Sequence, residues 1–287
     1  LMGDKDTFFC NKNLLNCRGT LLDISSPIVM GILNITENSF FDGGKYPTTL
    51  EALKQTEKML EEGATIIDIG ACSTRPGSLP PSVDQEKNNL SQTIEDILQR
   101  FPEIIISADT YRAEVAERAV QSGASIINDI SGGTLDDKMF ETVANLNVPY
   151  ILMHIQGNPL TMQENPKYED LEKEILEYFV EKTSILRQLG VKDIIIDPGF
   201  GFGKNLDHNF QLLRFMKDLK ILDYPILAGI SRKSMINKVL KTKPSEALNG
   251  TTVLNTIALM NGAKILRVHD VKEAVEAVKL WKEYKEA

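Results

Sequence analysis

The stretch that decides the fold occupies residues 104–130 and reads IIISADTYRAEVAERAVQSGASIINDI. It begins with a short apolar run, Ile104–Ala108, ends with a second one, Ser125–Ile130, and is amphipathic between them. Short runs rich in Ile and Val are typical of parallel strands that are covered on both faces. Gly123 follows the amphipathic part, where a helix end favours a residue that tolerates left-handed backbone. The stretch therefore predicts one strand–helix–strand unit.

The same unit recurs along the whole chain and brings the number of predicted strands to eight. Strict alternation of strands and helices predicts a parallel sheet, and eight units in about 250 residues predict a single (β/α)8 TIM barrel in the α/β class. A doubly wound open sheet is the structural alternative, but it usually carries an early GxGxxG turn, which this sequence lacks. The six further strands are predicted at Ile28–Leu33, Thr65–Ile69, Pro149–Met153, Asp193–Ile196, Pro225–Ala228 and Lys264–Val268.

The first 27 residues precede the predicted barrel, so we divide the chain into an extension at 1–27 and a barrel at 28–287. Within the extension, Leu14–Cys17 and Thr20–Asp23 flank the dipeptide Arg18-Gly19. Two short apolar runs around a glycine-containing turn are typical of a hairpin. We expect this hairpin to lie across the bottom of the barrel.

Composition narrows the classes of partner and compartment. The formal net charge is −8 with a pI near 5.1, which argues against a nucleic-acid partner. No apolar run approaches the roughly 18–20 residues of a membrane span, so no membrane partner is expected. The three cysteines, Cys10, Cys17 and Cys72, form no CxxC pair, which favours a reducing, cytoplasmic setting over a disulfide framework or a zinc site.

Polar residues gather at the C-terminal ends of the predicted strands, the face where barrel enzymes build their active sites. A lone Asp or Asn at such a position is more often a helix cap than a catalyst. Helix caps, however, do not require Arg, Lys or His, so the residues taken together predict a site. The residues at these ends include Asn34, Thr74, Arg75, Asp109, Asn128, His154, Asp197, Lys204, Arg232, Lys233, Ser234, Arg267 and His269.

The cations in this set predict an anionic ligand despite the acidic overall charge. Guanidinium groups match phosphate oxygens in a planar fork, and lysine adds a flexible point charge. Carboxylates with free oxygens match paired N–H donors on the edge of a heterocycle. The residues alone therefore predict a nitrogen-rich ring joined to a phosphate-type group, and go no further. The cations expected to converge are Arg75, Lys204, Arg232, Lys233 and Arg267.

Several motifs follow one another along the chain: MGILNIT at 30–36, SFFDGG at 39–44, DIG at 68–70, STRPG at 73–77, IINDI at 126–130, LMHIQG at 152–157, DPGFGFGK at 197–204, SRKS at 231–234 and RVHD at 267–270. In this order they resemble the signatures of the dihydropteroate synthases. The resemblance extends over residues 28–278 and implies the (β/α)8 barrel, a Mg²⁺ cofactor and a homodimer formed through the last helices. It also implies condensation of 6-hydroxymethyl-7,8-dihydropterin diphosphate with p-aminobenzoate, a step of folate biosynthesis that sulfonamides block by mimicking p-aminobenzoate.

The resemblance implies a role for individual residues of these motifs. The pterin would be bound by Asp109, Asn128, Met153, Asp197, Phe202 and Lys233. The diphosphate would be bound by Thr74, Arg75, Arg267 and His269, with Asn34 as the protein ligand of Mg²⁺. The p-aminobenzoate would be bound by Phe40, Thr74, Pro76 and Ser234. The residues expected to act in catalysis are Asp42, Arg75 and Lys233.

The chain departs from the family pattern in two loops and leaves other functions open. Glu37-Asn38 stands where the family has Pro-Asp, and Ala71-Cys72 stands where it has Gly-Glu. The alternatives are a pterin-binding methyltransferase, a Schiff-base aldolase using Lys204 or Lys233, and a barrel that binds without turnover. The STRPG and SRKS motifs favour the synthase over the methyltransferase, because a methyl carrier needs no diphosphate clamp.

Overall fold

A computed structural model describes residues 13–35, 45–71, 80–159, 161–162 and 164–287, and gives only the backbone at 45–49. Eight parallel strands close into a barrel in the order β10-β3-β4-β5-β6-β7-β8-β9, and an antiparallel hairpin, β1-β2, precedes them. The strands are β1 (Leu14–Cys17), β2 (Thr20–Asp23), β3 (Ile28–Asn34), β4 (Ile66–Gly70), β5 (Ile105–Asp109), β6 (Ile126–Asp129), β7 (Tyr150–Met153), β8 (Ile194–Asp197), β9 (Ile226–Ala228) and β10 (Ala263–Val268).

All eight predicted barrel strands are confirmed, with bounds that shift by one residue at most. The shift matters at three site residues, because Asn34, Asp109 and Asp197 end their strands instead of following them. Parallel pairing extends to these residues: Asn34 lies opposite Gly70, and Asp109 lies opposite both Gly70 and Asn128. Their backbones are therefore held by the barrel itself.

One apolar residue from each strand points into the lower half of the barrel and forms a layer that we call the floor ring. The hairpin packs against this layer from below through Leu15, Cys17, Leu22 and Ile24, which confirms its predicted position. Burial of these apolar side chains closes this end of the barrel and contributes to its stability. The floor ring consists of Met30, Ile66, Ile105, Ile126, Ile151, Ile195, Leu227 and Ile265.

Helices cover the outside of the barrel and bury their apolar faces against the strands. Gly123 adopts a φ of +119° just after α3, as expected of a residue that ends a helix. Over the part of the chain that the structure describes, no helix is long and apolar enough to cross a membrane. The helices are α1 (Lys45–Glu61), α2 (Val83–Arg100), α3 (Ala113–Gln121), α4 (Met139–Leu146), α5 (Leu171–Gln188), α6 (Leu206–Phe215), α7 (Ser234–Leu240), α8 (Leu248–Met260) and α9 (Val271–Glu286).

Candidate active site

The inward positions directly above the floor ring are mostly polar. Side chains alternate between the two faces of a strand, so the residue two positions after each floor residue also points inward. This layer lies in the upper half of the barrel, where polar groups removed from water need partners. Its polar members are Asp68, Ser107, Asn128, Asp197 and Arg267, of which the first four are buried.

Arg267 binds two carboxylates at the centre of this layer. Its Nε lies 2.6 Å from Asp68 Oδ2, and its Nη2 lies 2.5 Å from Asp109 Oδ2. Asn128 Nδ2 donates to the same Asp68 oxygen at 3.1 Å. Burial raises the pKa of Asp109 to about 7, although Arg267 opposes the rise, and the nearby Asp68 adds to it. One guanidinium therefore serves two acids, and one of those acids is readily protonated.

Asp197 and Lys233 form the second charged pair of the mouth. Burial raises the pKa of Asp197, whereas Lys233 and a hydrogen bond of 2.8 Å from the Gly199 backbone N–H to Asp197 Oδ1 lower it. Burial lowers the pKa of Lys233 to about 8, against the effect of Asp197. Lys233 Nζ donates to the Phe200 carbonyl and lies 4.5 Å from the centre of the Phe202 ring. Both side chains are thus fixed by the β8–α6 loop.

An apolar wall stands beside these charges. Met153, at the end of β7, is buried in a small cluster with Ile130, Ile155 and Met162, against which the half-buried Phe202 packs. The structure therefore brings together the two residues, Met153 and Phe202, that were predicted to line the pterin pocket. A flat ring lying here would meet apolar atoms on its faces and polar groups at its edge.

His269, Ser234 and Asn34 lie nearer the rim. His269 Nδ1 lies 3.1 Å from Ser231 Oγ, which also accepts the His269 backbone N–H at 3.2 Å. Burial, together with Arg267, lowers the pKa of His269 to about 4, so the imidazole is neutral at pH 7 and acts as a hydrogen-bonding group. Ser234 is exposed as the first residue of α7, and Asn34 is exposed at the end of β3.

Known proteins resemble this chain in both sequence and fold. A model of the pterin binding enzymes matches residues 30–269. The dihydropteroate synthase of Escherichia coli K12 is 47% identical over 268 residues, which cover 93% of this chain and 94% of that protein. The chain belongs to the dihydropteroate synthase family.

Solved structures of this family agree with the fold described above. The Yersinia pestis dihydropteroate synthase, in a sulfonamide drug complex, has a TM-score of 0.88 at 42% identity and covers 96% of this chain and 100% of its own. The Xanthomonas albilineans dihydropteroate synthase with 4-aminobenzoic acid has a TM-score of 0.89 at 35% identity and covers 96% and 99%. The predicted family and the predicted barrel are therefore both confirmed.

Of the five cations that we expected to converge at the mouth, the four that the structure describes all contact protein groups, Arg267 and Lys233 as given above. Arg232 makes a bidentate pair with Asp270, at 2.8 and 2.6 Å, because the β9–α7 loop lies beside the start of α9. Lys204 is only 2% exposed and is enclosed by protein acceptors. Lys233, Arg267 and Lys204 all lie close enough to Asp197 to oppose the rise that burial causes in its pKa.

The remaining predicted residues of the family motifs lie outside the described part of the chain, so their roles stay predictions. They fall at 36–44 and 72–79, together with every residue that departs from the family pattern except Ala71. These residues are Glu37, Asn38, Phe40, Asp42, Cys72, Thr74, Arg75 and Pro76.

Sequence reasoning missed Asp68 as a residue of the site, although it quoted the motif that contains it. Asp68 is fully buried within β4 and binds both Arg267 and Asn128. The available signal was a single charged residue inside an otherwise apolar strand, since a charge at such a position needs a buried partner. Ser231, which binds His269, was named only as part of its motif.

Proposed function

We propose that this chain condenses 6-hydroxymethyl-7,8-dihydropterin diphosphate with p-aminobenzoate, giving 7,8-dihydropteroate and diphosphate, as a transferase of folate biosynthesis in the cytoplasm. The observation that carries the proposal is the polar layer above the floor ring, where Arg267 is shared by Asp68 and Asp109. The relatives with bound 4-aminobenzoic acid and sulfonamide support the substrate class.

The pterin would lie in the barrel mouth, with its face against Met153 and Phe202. Its edge carries N–H donors and ring acceptors, which match the carboxylates of Asp109 and Asp197 and the amide of Asn128. These side chains come from three different strands and are held by hydrogen bonds or ion pairs before any ligand arrives. Such preorganisation lowers the entropic cost of binding.

The diphosphate would lie towards the rim, where Arg267 and His269 are joined by the predicted Thr74 and Arg75. In the reaction, the bond between the pterin methylene carbon and the diphosphate oxygen breaks, and its electron pair leaves with the diphosphate. Arg267 and Arg75 would stabilise the negative charge that develops on the leaving group. Neutral His269 would add a hydrogen bond without adding charge.

The amine nitrogen of p-aminobenzoate then bonds to the methylene carbon and loses a proton. We assign the p-aminobenzoate side to Ser234, at the start of α7, together with Phe40, Thr74 and Pro76. Lys233 lies between this side and the pterin pocket, since Ser234 follows it and Phe202 contacts its ammonium. Lys233, Asp42 and Arg75 would exclude water from the cationic carbon and hold the reacting groups in place.

Mg²⁺ is the cofactor that we propose, with Asn34 as its protein ligand. The amide oxygen of Asn34 is a hard donor of the kind that Mg²⁺ prefers. Gly70 leaves room beside it, because a Cβ built there would lie 3.6 Å from Asn34 Oδ1 and 3.5 Å from Asp109 Oδ2. These features fit a metal that takes its other oxygens from diphosphate and water, and whose charge offsets that of the diphosphate.

We further propose a homodimer formed through α8 and α9. The two helices expose Val253, Ile257 and Met260 in α8 and Leu280 and Tyr284 in α9, each at least 40% accessible. An apolar face on neighbouring helices is typical of a surface that another protein covers. A second copy of the chain could bury the same face on both partners.

The decisive test is turnover with purified protein. The chain should form 7,8-dihydropteroate from the dihydropterin diphosphate and radiolabelled p-aminobenzoate, and a chelator should stop the reaction until Mg²⁺ is restored. The Asp197→Ala variant should lose turnover and bind pterin more weakly by about 2–5 kcal/mol, since it leaves paired donors without a partner. Asp218→Ala, an exposed site away from the mouth, is the control. A wild-type protein without turnover would contradict the proposal.

A further inference from the structure

Lys204 has no assigned part in the reaction, yet it is almost completely buried beside the pterin pocket. Its Nζ lies 2.9 Å from His154 Nδ1, 3.0 Å from the Phe202 carbonyl oxygen and 3.4 Å from the His154 carbonyl oxygen. Lysine is rarely buried at 2% exposure, because removing an ammonium from water is costly unless acceptors replace the water. The three acceptors therefore account for the position of this side chain.

We propose that Lys204 is a positioning residue for the pterin pocket. Its side chain holds the residue that follows β7 against the β8–α6 loop. The contacts on its two sides carry the argument. His154 directly follows Met153, and the Phe202 carbonyl belongs to the residue whose ring packs against the same apolar cluster. One ammonium therefore fixes the backbone beside both apolar residues of the pocket wall.

A lysine side chain matches the acceptors that surround its Nζ. The three groups around Nζ are two carbonyl oxygens and an imidazole nitrogen, and an ammonium offers three donors and no acceptor. Burial, with a further contribution from Lys204, lowers the pKa of His154 well below its ordinary value, so the ring is neutral, and in the tautomer protonated at Nε2 its Nδ1 accepts from the lysine. Burial lowers the pKa of Lys204 well below its ordinary value, whereas the nearby Asp197 favours the charged form of the lysine.

The surrounding residues show that the segment after β7 and the β8–α6 loop pack directly against each other. A Cβ on Gly199 would lie 1.9 Å from the His154 carbonyl oxygen, so the two backbones touch with no side chain between them. Tyr178 donates to the Met153 carbonyl at 2.9 Å, and Tyr168 donates to the Gly203 carbonyl at 2.8 Å. The carbonyl groups of Met153 and Gly203 therefore have tyrosine donors, and Lys204 supplies the donor for the neighbouring carbonyl groups.

The test is the affinity for 6-hydroxymethyl-7,8-dihydropterin diphosphate, measured by calorimetry on the full chain. Lys204→Met keeps the length of the side chain and removes its donors, and should raise the pterin Kd at least tenfold while the KM for p-aminobenzoate at saturating pterin stays within twofold. General destabilisation would instead lower the apparent kcat and leave Kd unchanged. Lys264→Met is the matched control, because Lys264 donates to the Ser25 carbonyl at the opposite end of the barrel.

A pterin Kd within twofold of wild type in folded Lys204→Met would overturn the assignment. If that variant does not fold, His154→Phe replaces it, since it keeps a ring against Tyr178 and removes the Nδ1 acceptor. That variant should raise Kd at least threefold, and an unchanged Kd would again overturn the assignment. The inference rests on the proposed function, so a wild-type protein that fails to bind the pterin would overturn both, whereas unchanged variants overturn only the role of Lys204.

Discussion

At the scale of the residue, Arg267 lies at the centre of the mouth, where its positive charge pairs with two carboxylates that the barrel brings together. Asp68 and Asp109 come from neighbouring strands, and each contributes one oxygen to the guanidinium. Although burial alone would lower it, the two carboxylates raise the pKa of Arg267 above its usual value. Two negative charges against one positive charge are costly in a buried site. This excess of negative charge lies where a ligand with N–H donors is expected to bind.

This charge imbalance predicts that Asp109→Asn stabilises the empty protein. The pKa of Asp109 rises from 3.8 to about 7 on folding, so the folded state keeps a proton that the unfolded chain loses. The contribution of this group to the free energy of unfolding therefore falls as pH rises between these two values. Urea denaturation should find the variant about 1–3 kcal/mol more stable than wild type at pH 8, with a smaller gain at pH 5.

Pterin affinity should fall in the same variant, because the edge of the ring loses a charged acceptor. Asp218→Asn, at an exposed site, should leave both quantities unchanged. An Asp109→Asn variant less stable than wild type at pH 8 would contradict the account of the shared arginine.

At the scale of the element, the β8–α6 loop obtains its shape from glycines. Gly199, Gly201 and Gly203 have φ values of +72°, +81° and +63°, a region that other residues rarely adopt. The turn carries the Gly199 backbone N–H to Asp197 and the Phe200 carbonyl to Lys233. The conformation of the loop therefore determines where two charged groups of the site lie.

Gly199→Ala should destabilise the protein by at least about 2 kcal/mol, because it adds strained backbone to a collision with the His154 carbonyl. Gly190→Ala is the matched control, since Gly190 also has a positive φ, +92°, but nothing lies within 4 Å of its added Cβ. That control should cost about 1 kcal/mol. Thermal unfolding of the two variants measures the difference, and equal losses would show that the contact with His154 is unimportant.

Local sequence signals predicted the strands well and the side-chain contacts of the site less well. Runs of β-branched residues located all eight barrel strands, because burial on both faces leaves a continuous apolar run. Arg232 was expected at the mouth, but its partner Asp270 lies 38 residues further along the chain. The role of Asp68 and the partners of Lys204 escaped prediction for the same reason, since those partners come from distant strands and loops. Pairings of this kind arise from barrel closure, which no local pattern contains.

At the scale of the whole molecule, the acidic net charge and the cations of the mouth are compatible because they act over different distances. The net charge of −8 is spread over the surface, where salt screens it beyond about 10 Å. Inside the mouth, Arg267 and Lys233 lie in a less polar medium where each charge has a stronger effect. The total charge is therefore a poor guide to the sign of the ligand.

The prediction at this scale concerns the homodimer proposed to form through the apolar face of α8 and α9. Leu280→Asp, at a side chain 73% exposed in one chain, should raise the dimer dissociation constant by about 100-fold or more, because a charge would enter an apolar interface. Light scattering after gel filtration should then report the monomer mass. Val180→Asp, at a side chain 53% exposed on α5, is the control and should remain a dimer. A dimeric Leu280→Asp protein would place the interface elsewhere.

The floor ring and the hairpin beneath it make the barrel a cup with a closed base. A molecule bound by the layer directly above that base can be reached only past whatever occupies the rim. Under the proposed assignment, the pterin would be the first substrate to arrive, and p-aminobenzoate would close the path behind it. Diphosphate and dihydropteroate would then leave through the same opening. The depth of each binding position, as well as its affinity, would therefore determine the order of substrate binding and product release.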